Sequence, residues 1–342
     1  MNVEIVRNVP ETEWKLFLED ESEATIYHTP EWKRFLEGTF GYSSRYLFAT
    51  DECGELRGLL PLFHVKSRLT GSRLCSVPFA HECGILGDQN GRTALINEAL
   101  ELGQRSGADV LEVRGPVEND SFTQVNNFDS FVLDFPTEPA DIFTILCKRK
   151  TRAMIKKTEA YGVEVTTSSA KEDLKEFYEL NRMTKQKLGV PCHPRKFFEN
   201  LFSTLEGHAH LYLARQNGEI IAGGVMESYK DQFLAGYAAA DPATYHLYPN
   251  YALFWKSITD AYENGYRTYD FGRVHKGNAG LRKFKSNWKT REKALWYSTY
   301  PSSELPFSGR DTGIYRLSNT VIRRLPTPVY TKFSEMVFPH FG

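Results

Sequence analysis

Cysteine is scarce in this chain and its few cysteines are scattered. The five lie far apart in the sequence, at Cys53, Cys75, Cys83, Cys147 and Cys192. An odd number without any C-x-x-C pair argues against a disulfide framework and against a zinc ribbon. Two histidine-containing stretches, His81-Glu82-Cys83 and His208 with His210, have no further ligands at recognisable spacing. The sequence therefore predicts neither disulfides nor a metal site.

Long apolar runs and an excess of one charge are missing as well. No segment approaches the roughly 20 apolar residues that a transmembrane helix needs, and the amino-terminal stretch MNVEIVRNVPETEW does not have the order of a signal peptide. The 42 basic residues are balanced by 43 acidic ones, so no overall field attracts nucleic acid. We expect a cytoplasmic protein without a transmembrane segment and without stable DNA binding.

Several common catalytic motifs are absent. The chain contains no G-x-G-x-x-G after a strand, no H-E-x-x-H and no G-x-S-x-G. Gly272 and Gly277 have the spacing of a phosphate-binding loop, but Asn278 and Ala279 stand where that motif requires Lys and Ser or Thr. These absences argue against dehydrogenases, serine hydrolases and nucleotide-triphosphate enzymes, and no tightly bound cofactor is expected.

What the chain does contain is an internal repeat. Residues 45–62 and residues 210–225 both read as two strands joined by a tight glycine turn. Each pair precedes an amphipathic helix that ends near a glycine, Gly107 in the first half and Gly265 in the second, and a short strand follows. The shared order β-β-β-α-β is that of the core of a GNAT acyltransferase, although a fold alone does not assign chemistry.

The length agrees with this repeat, because 342 residues exceed the usual single core. We predict an α+β protein with two tandem GNAT-like subdomains, each a mostly antiparallel sheet flanked by helices. Pro136 and Pro139 mark the change between the halves. The predicted division is therefore residues 1–135, residues 136–300, and a C-terminal helical extension over residues 301–342.

A dense run of basic residues opens the second half. It comprises Lys148, Arg149, Lys150, Arg152, Lys156 and Lys157. Positions spaced by four share one face of a helix, so this stripe can meet successive phosphates. We take Lys150, Arg152 and Lys156 as candidate substrate-binding residues. The alternative, that the run is only a solvated helix face, has equal weight.

The next predicted helix, residues 171–188, has an inward stripe that runs from Leu174 to Leu188 and is polar in its middle. Inward polar groups need partners or a wet cavity, so Tyr178, Asn181 and Thr184 are candidates for lining a substrate site. The structural alternative is that Thr184 bonds to its own helix and Asn181 caps a loop.

The segment YDFGRVHKGNAGLRKFKSNW leaves a predicted strand at its C-terminal end, where open α/β sheets place their sites. Asp270 can orient an amine there, and Arg273 and Lys285 can stabilise an oxyanion or a phosphate. The apolar neighbours Phe284 and Trp288 would hold Lys285 at a pocket wall. The alternative is that Asp270 caps the loop and the lysines are solvated.

Three segments of the second half resemble the Fem family of peptidyl aminoacyltransferases, especially its exosortase-associated members. They are FYELNRMTKQKLGVPCHPRKFF, YPNYALFWKSITDAYENGYRTYDFGR and GLRKFKSNW. The resemblance implies two GNAT-like subdomains with a cleft between them, and transfer of an amino acid from aminoacyl-tRNA to an amine of a cell-wall precursor. It also implies that Phe284-Lys285 lies by the reacting groups, and that the basic helix with Lys150, Arg152 and Lys156 helps to hold a phosphate-bearing precursor.

The sequence favours one donor but leaves alternatives for the donor and the acceptor of the reaction. The loop TYHLYPN before the second-half helix lacks the glycine-rich pattern that cradles coenzyme A, which favours aminoacyl-tRNA over acyl-CoA as co-substrate. We assign Lys285 to the oxyanion and Asp270, or the substrate itself, to the proton; Tyr237 completes the candidate binding residues. The acceptor is a phosphate-bearing or lipid-linked amine. Alternatives are an acyl-CoA-dependent N-acyltransferase of an amino sugar in polysaccharide biosynthesis, and a noncatalytic protein that binds a glycan or precursor.

Overall fold

The computed structural model describes residues 3–301 and 313–341, with the backbone alone for residues 313–318. Within these ranges, every helix is too short or too polar to span a membrane. The chain divides into two compact units, one made of Met1–Asn127, Leu295–Arg310 and Val337–Gly342, the other of Phe128–Ala294 and Asp311–Met336. The predicted boundaries at residues 135 and 300 differ from this division by several residues and stay a prediction.

The first unit begins with a strand and two helices and continues mainly as strands. Its elements are β1 (Val3–Val6), α1 (Glu11–Asp20), a 3-10 turn (Ile26–His28), α2 (Pro30–Phe40), β2 (Ser43–Ser44), β3 (Leu47–Asp51), β4 (Leu56–Leu60), β5 (Phe63–Ser67), β6 (Gly71–Cys75), β7 (Leu86–Gly87), α3 (Gln89–Ser106), β8 (Val110–Val113) and the start of β9 (Thr123–Asp134).

These strands form two sheets that are antiparallel except at one pair. The first has the order β1-β3-β4-β7, and the second continues from β2 through β5 and β6 to β8. β6 and β8 are parallel, as their connection through α3 requires. Leu95, Ala99 and Leu102 of α3 are buried, as their helical spacing predicts, and pack in the core of this unit.

The second unit carries most of the helices. Its elements are α4 (Ile142–Leu146), α5 (Arg149–Ala160), β10 (Val163–Ser168), α6 (Lys171–Leu188), α7 (Arg195–Thr204), β11 (Ala209–Gln216), β12 (Glu219–Tyr229), β13 (Gln232–Ala240), a 3-10 turn (Pro242–Leu247), α8 (Pro249–Glu263), β14 (Thr268–His275), α9 (Ala279–Ser286), the start of β15 (Arg291–Tyr300), α10 (Gly313–Arg324) and most of α11 (Thr327–Val337). A 3-10 turn, Phe338–Phe341, ends the described chain.

The strands of this unit have the order β10-β11-β12-β13-β14-β9. The pair β13 and β14, joined by α8, is parallel, whereas β10 with β11, β11 with β12, β12 with β13, and β14 with β9 are antiparallel. Successive strand residues point to opposite faces. Accordingly, the position of Gly223 faces Phe177 of α6, and that of Gly224 faces Leu253 of α8. The sheet therefore lies between α6 on one face and α8 on the other.

The predicted repeat is present in both units. The glycine-turn strand pairs are β3 with β4 and β11 with β12, and each is followed by a long helix and a strand. Gly107 and Gly265 have φ of +64° and +82°, the left-handed backbone that favours glycine after a helix. The predicted helix over residues 171–188 is α6. The predicted C-terminal helices are present from Gly313 onward, whereas residues 302–312 lie outside the described part.

The close approach of β4 and β7 requires a glycine at position 87. Gly87 has φ of +116°, and an added Cβ would lie 2.1 Å from the carbonyl oxygen of Arg57. Neither the backbone conformation nor the space admits a side chain.

We expect Gly87→Ala to lower the free energy of unfolding by about 2–5 kcal/mol, because backbone strain and overpacking add. The matched control is Gly107→Ala, which also changes a positive-φ glycine but has no atom within 4 Å of its added Cβ. It should cost only about 1–2 kcal/mol. Urea denaturation measures both, and equal losses would contradict the steric account.

Candidate functional site

The candidate site lies where β13 and β14 cease to pair. Their parallel ladder joins residues 232–234 to residues 268–270 and stops there. Just beyond it, the register of β13 shifts against β12 between Val225 and Met226. That of β14 shifts against β9 between Asp270 and Arg273. Such bulges redirect side chains and are frequent beside active sites. Both β13 and β14 therefore become irregular next to the end of their shared ladder.

The irregularity in β14 is held by two side chains of opposite charge. Gly272 has φ of +72°. Its N–H donates to Oδ1 of Asp270 at 2.7 Å, and the hydroxyl of Ser130 donates to the same oxygen at 2.5 Å. Nζ of Lys285 donates to the carbonyl oxygen of Phe271 and, at 2.8 Å, to that of Gly272. Asp270 and Lys285, both predicted site residues, are thus brought together at this bulge.

Lys285 is a buried cation, with 6% of its surface exposed. It lies on α9, and the neighbouring Phe284 packs on Tyr251 and Phe254 of α8, with ring centroids 5.3 Å and 5.6 Å away. Burial lowers the pKa of Lys285 to about 8, against the opposing effect of Asp270. The group therefore keeps most of its charge at neutral pH and loses it in mildly alkaline solution.

The polar stripe of α6 divides between two surroundings. Oδ1 of Asn181 accepts from Nδ1 of His193 at 3.2 Å, and the hydroxyl of Thr184 donates to the carbonyl oxygen of Ala240 at 3.3 Å. Both contacts join α6 to the part of the unit around the end of β13. Tyr178 instead lies beside Cys192, and burial raises the pKa of its hydroxyl. Leu188, expected on the inward stripe, is exposed because the helix ends there.

Tyr237 of β13 is enclosed by aromatic rings. Its ring centroid lies 5.0 Å from that of His193, and 5.4 Å from those of Phe197 and Phe198. Burial and then nearby Glu227 raise the pKa of the Tyr237 hydroxyl well above its usual range, while Arg273 acts in the opposite direction. The Tyr237 hydroxyl is therefore neutral at physiological pH, and charged groups on both β12 and β14 affect its pKa.

Glu227 is the residue that the sequence interpretation missed. It lies on β12 with 1% of its surface exposed, and neither carboxylate oxygen has a hydrogen-bond partner in the described ranges. Burial raises the pKa of Glu227 to about 8. One signal could have indicated it, because a lone acidic residue follows the otherwise apolar run IIAGGVM of a buried strand.

The basic stripe extends along α5, from its N-cap Lys148 to Lys157 in its last turn. Lys150 and Lys156 are exposed, and no acidic partner is found for them within the described ranges. Arg152 instead donates to the carbonyl oxygen of Cys147 at 2.8 Å and so fixes the turn between α4 and α5. The first turn of α5 contains no acidic residue, although a helix N-terminus favours negative charge. An anionic partner would relieve this unfavourable arrangement.

Metal ligation has no support in this part of the chain or elsewhere in the described ranges. Within residues 3–301 and 313–341, no group of three His, Cys, Asp or Glu side chains could hold a metal ion.

Comparison with known proteins bears on the domain type and the fold. Residues 147–289 match the family described as acetyltransferase (GNAT) domain, and this segment contains β13, β14 and Lys285. A 148-residue stretch is 25% identical to UDP-N-acetylmuramoylpentapeptide-lysine N(6)-alanyltransferase from Weissella viridescens. The stretch covers 42% of this chain and 44% of that protein, less than half of the relative's length.

Solved structures extend the likeness over nearly the whole chain. FemX superposes with a TM-score of 0.71 at 16% identity, over 93% of this chain and 100% of that one. L-PGS from Bacillus licheniformis gives 0.56 at 17% identity, over 93% and 98%. A tandem GNAT protein from the clavulanic acid biosynthesis pathway gives 0.53 at 12% identity, over 89% and 100%. At sequence identities of 12–17%, these superpositions show a shared fold and nothing further.

The fold is therefore a tandem GNAT fold, and residues 147–289 of its second half match the acetyltransferase (GNAT) domain. This tandem fold is similar to that of FemX, as the resemblance of the three sequence segments implies. The predicted fold class and the predicted resemblance are both confirmed.

We expect Glu227 to make stability depend on pH. Its pKa is about 8 in the folded protein against the ordinary 4.5. Between these values the folded chain holds a proton that the unfolded chain has released. Stability therefore falls as pH rises through this window, by about 1.4 kcal/mol per unit for a fully coupled group.

Glu227→Gln should remove this contribution, so that its stability relative to wild type improves steadily from pH 5 to pH 8 in urea denaturation. Glu219→Gln, at the exposed start of the same strand, is the control and should follow wild type. Parallel curves for Glu227→Gln and wild type would contradict the burial of an acid that is neutral in the folded state.

Proposed function

We propose that this protein is an N-acyltransferase that moves an aminoacyl group from aminoacyl-tRNA to an amine of a cell-envelope precursor. The GNAT domain match, the Fem-like fold and the naming of the curated relative as an alanyltransferase of a lysine N6 support this function. Because charged tRNA resides in the cytoplasm, the reaction is placed there.

The backbone at the start of α8 bears on whether the donor is coenzyme A or an aminoacyl ester. A helix N-terminus binds a pyrophosphate through its unused backbone N–H groups. Here Pro249 has no N–H, the N–H of Tyr248 donates to Tyr245 and the N–H of Tyr251 donates to Tyr248. Tyr248 itself has φ of +59°. Few donors are left for the diphosphate of coenzyme A, which favours an aminoacyl ester as donor.

The chemistry requires an uncharged amine, an aligned ester and a stabilised oxyanion. The amine nitrogen attacks the ester carbonyl, a C–N bond forms, and the bond to the ribose oxygen breaks. That oxygen leaves with a proton from the attacking nitrogen. An ammonium group has three hydrogens, and Lys285 uses two on Phe271 and Gly272, so the third can stabilise the oxyanion.

The basic stripe supports an acceptor that carries phosphate. Lys150 is an exposed cation in the first turn of α5, where the helix dipole already favours an anion, and Lys156 is a second exposed cation further along the same helix. A lipid-linked or nucleotide-linked amine would satisfy both features.

The donor is tested by incubating the purified protein with charged total tRNA, and separately with acyl-CoA species, together with amine-bearing envelope precursors. Mass spectrometry then identifies the acceptor from its mass shift. Transfer from aminoacyl-tRNA supports the proposal. Transfer from coenzyme A alone would replace it with an acyl-CoA-dependent enzyme, and binding of a precursor without any transfer would favour a noncatalytic protein.

We expect Lys285→Ala to lower kcat by roughly 10²–10³-fold, the usual effect of removing one oxyanion donor. Lys283→Ala removes an exposed lysine of the same helix and should leave turnover unchanged. Lys285→Met, which fills the same space, separates loss of charge from loss of packing. Full turnover in a folded Lys285→Ala protein, verified by urea denaturation, would remove the assignment.

Reversing charge on the stripe should weaken binding of a phosphate-bearing substrate. We expect the double variant Lys150→Glu, Lys156→Glu to raise KM by about tenfold or more at low salt, and to lose much of the salt dependence of kcat/KM. Lys171→Glu, an exposed lysine at the start of α6, serves as control. An unchanged salt dependence would indicate that the stripe is only a solvated face.

A further inference from the structure

Two exposed lysines lie over tyrosine rings at one turn, residues 242–248, which precedes α8. Nζ of Lys187, in the last turn of α6, lies 4.8 Å from the ring centroid of Tyr245. Nζ of Lys157, in the last turn of α5, lies 5.6 Å from that of Tyr248. The N–H of Tyr248 donates to the carbonyl oxygen of Tyr245 at 3.1 Å. Two helices therefore each bring a cation to a ring of the same turn.

The stability of the fold does not account for these tyrosines. A lysine in the last turn of a helix is favoured by the helix dipole, but this effect requires no ring beneath it. Tyr245 is 43% exposed and adds little to a core. Tyr248 has φ of +59°, a backbone conformation that is unfavourable for a bulky residue. Residues held in such conformations cluster at ligand-binding and active sites.

The lysines at this turn are not neutralised by an ion pair. Residues 242–251 contain no Asp or Glu, and within the described ranges no acidic side chain pairs with Lys157 or Lys187. The preceding acid, Asp241, accepts from the N–H of Ala243 at 2.9 Å and so caps the turn. Since the backbone at the start of α8 has few free N–H groups, an anion here would be held by the two lysines.

A line of aromatic rings leads from this turn towards the candidate site. The ring centroid of Tyr251 lies 6.3 Å from that of Tyr248 and 5.3 Å from that of Phe284. Phe284 precedes Lys285, which donates to the carbonyl oxygens of the β14 bulge. Both Tyr248 and Tyr251 are partly exposed. Ring contacts therefore run from the exposed turn to the residue next to Lys285.

We propose that this turn docks the single-stranded 3′ end of the donor tRNA. A base stacks on Tyr245, and Lys157 and Lys187 bind the backbone phosphates around it. This inference rests on the proposed function and deepens it, because it names the part of the donor that the protein recognises.

The combination of rings and cations is what favours RNA at this turn. Proteins bind single-stranded nucleic acid with exposed aromatic rings among basic residues, because every base has a face that stacks. A phosphate group alone would need the lysines but not the exposed ring of Tyr245. The small overall charge of the chain, −1, attracts no nucleic acid by itself, so recognition of tRNA requires a local surface of this kind.

The test is the binding of uncharged tRNA, because this binding does not depend on any transfer. Fluorescence anisotropy with 5′-labelled tRNA measures Kd for wild type, Tyr245→Ala, Tyr245→Phe and Lys187→Ala. Tyr245→Ala should raise Kd about tenfold, as expected for the loss of one stacked base, whereas Tyr245→Phe keeps the ring and should stay within about twofold. Lys187→Ala should reduce the slope of log Kd against log salt concentration by about one.

A second RNA locates the contact on the tRNA. This RNA is the same tRNA without the single-stranded nucleotides of its 3′ end. Wild type should bind it about tenfold more weakly than intact tRNA, and Tyr245→Ala should bind both RNAs about equally. Lys175→Ala removes an exposed lysine from the middle of α6 and, as the control, should match wild type with both RNAs. Urea denaturation verifies that each variant is folded.

Transfer kinetics give a further readout. Tyr245→Ala should raise KM for aminoacyl-tRNA about tenfold and leave kcat at saturating donor within about twofold, because the ring contacts the donor but not the reacting atoms. A loss confined to kcat would contradict a docking role.

The docking surface is overturned if folded Tyr245→Ala binds intact tRNA as wild type does, or if it weakens intact and truncated tRNA by the same factor. It is also overturned if wild type binds no tRNA. Uridine diphosphate is the probe for a nucleotide-linked acceptor. If Tyr245→Ala weakens its binding and leaves that of tRNA unchanged, the turn belongs to the acceptor and the inference fails.

Failure of the proposed function gives a different result. If tRNA binds with the expected dependence on Tyr245 and on its 3′ end, but no donor supports transfer, the function fails and the docking surface stands. If aminoacyl-tRNA supports transfer and Tyr245→Ala changes neither Kd nor KM, the function stands and the docking surface fails.

Discussion

The contact on which the site depends is the pair of hydrogen bonds from Lys285 to the carbonyl oxygens of Phe271 and Gly272. A bulge removes backbone groups from the ladder, and a buried carbonyl without a donor is costly. Lys285 supplies two donors from a neighbouring helix. The bulge is thereby kept, Asp270 closes it from the other side, and the guanidinium of Arg273 lies over the ring of Phe128. Without the ammonium group, the carbonyl oxygens of Phe271 and Gly272 would lose these donors.

Two buried ionisable groups of opposite type therefore lie near the same strand ends. Desolvation disfavours the charged form of each, so it lowers the pKa of Lys285 and raises that of Glu227, in both cases to about 8. Each group weakens the fold compared with an apolar side chain of similar size. Strongly perturbed ionisable groups are typical of functional sites, because selection for stability alone would have replaced them.

Local patterns in the sequence predict much of this fold. The helix over residues 171–188, the two glycine turns and the apolar face of α3 follow from periodicity and turn chemistry, which depend on neighbours in the chain. The direction of Tyr178 and the partners of Arg152 depend on elements that pack from elsewhere. Glu227 was missed for the same reason, since its unpaired state arises from a bulge that only strand pairing creates.

The two units differ in how a buried cation beside the parallel strand pair is bonded. Each contains one parallel strand pair, β6 with β8 and β13 with β14. Beside the first pair, the buried guanidinium of Arg114 is neutralised by Glu112 at 2.8 Å and also donates to the carbonyl oxygen of Ala80. Beside the second, Lys285 donates to the neutral carbonyl oxygens of Phe271 and Gly272, and Asp270 also favours its charged form. A cation paired directly with a carboxylate stabilises a structure, whereas a cation bonded mainly to carbonyl dipoles can still respond to a developing anion.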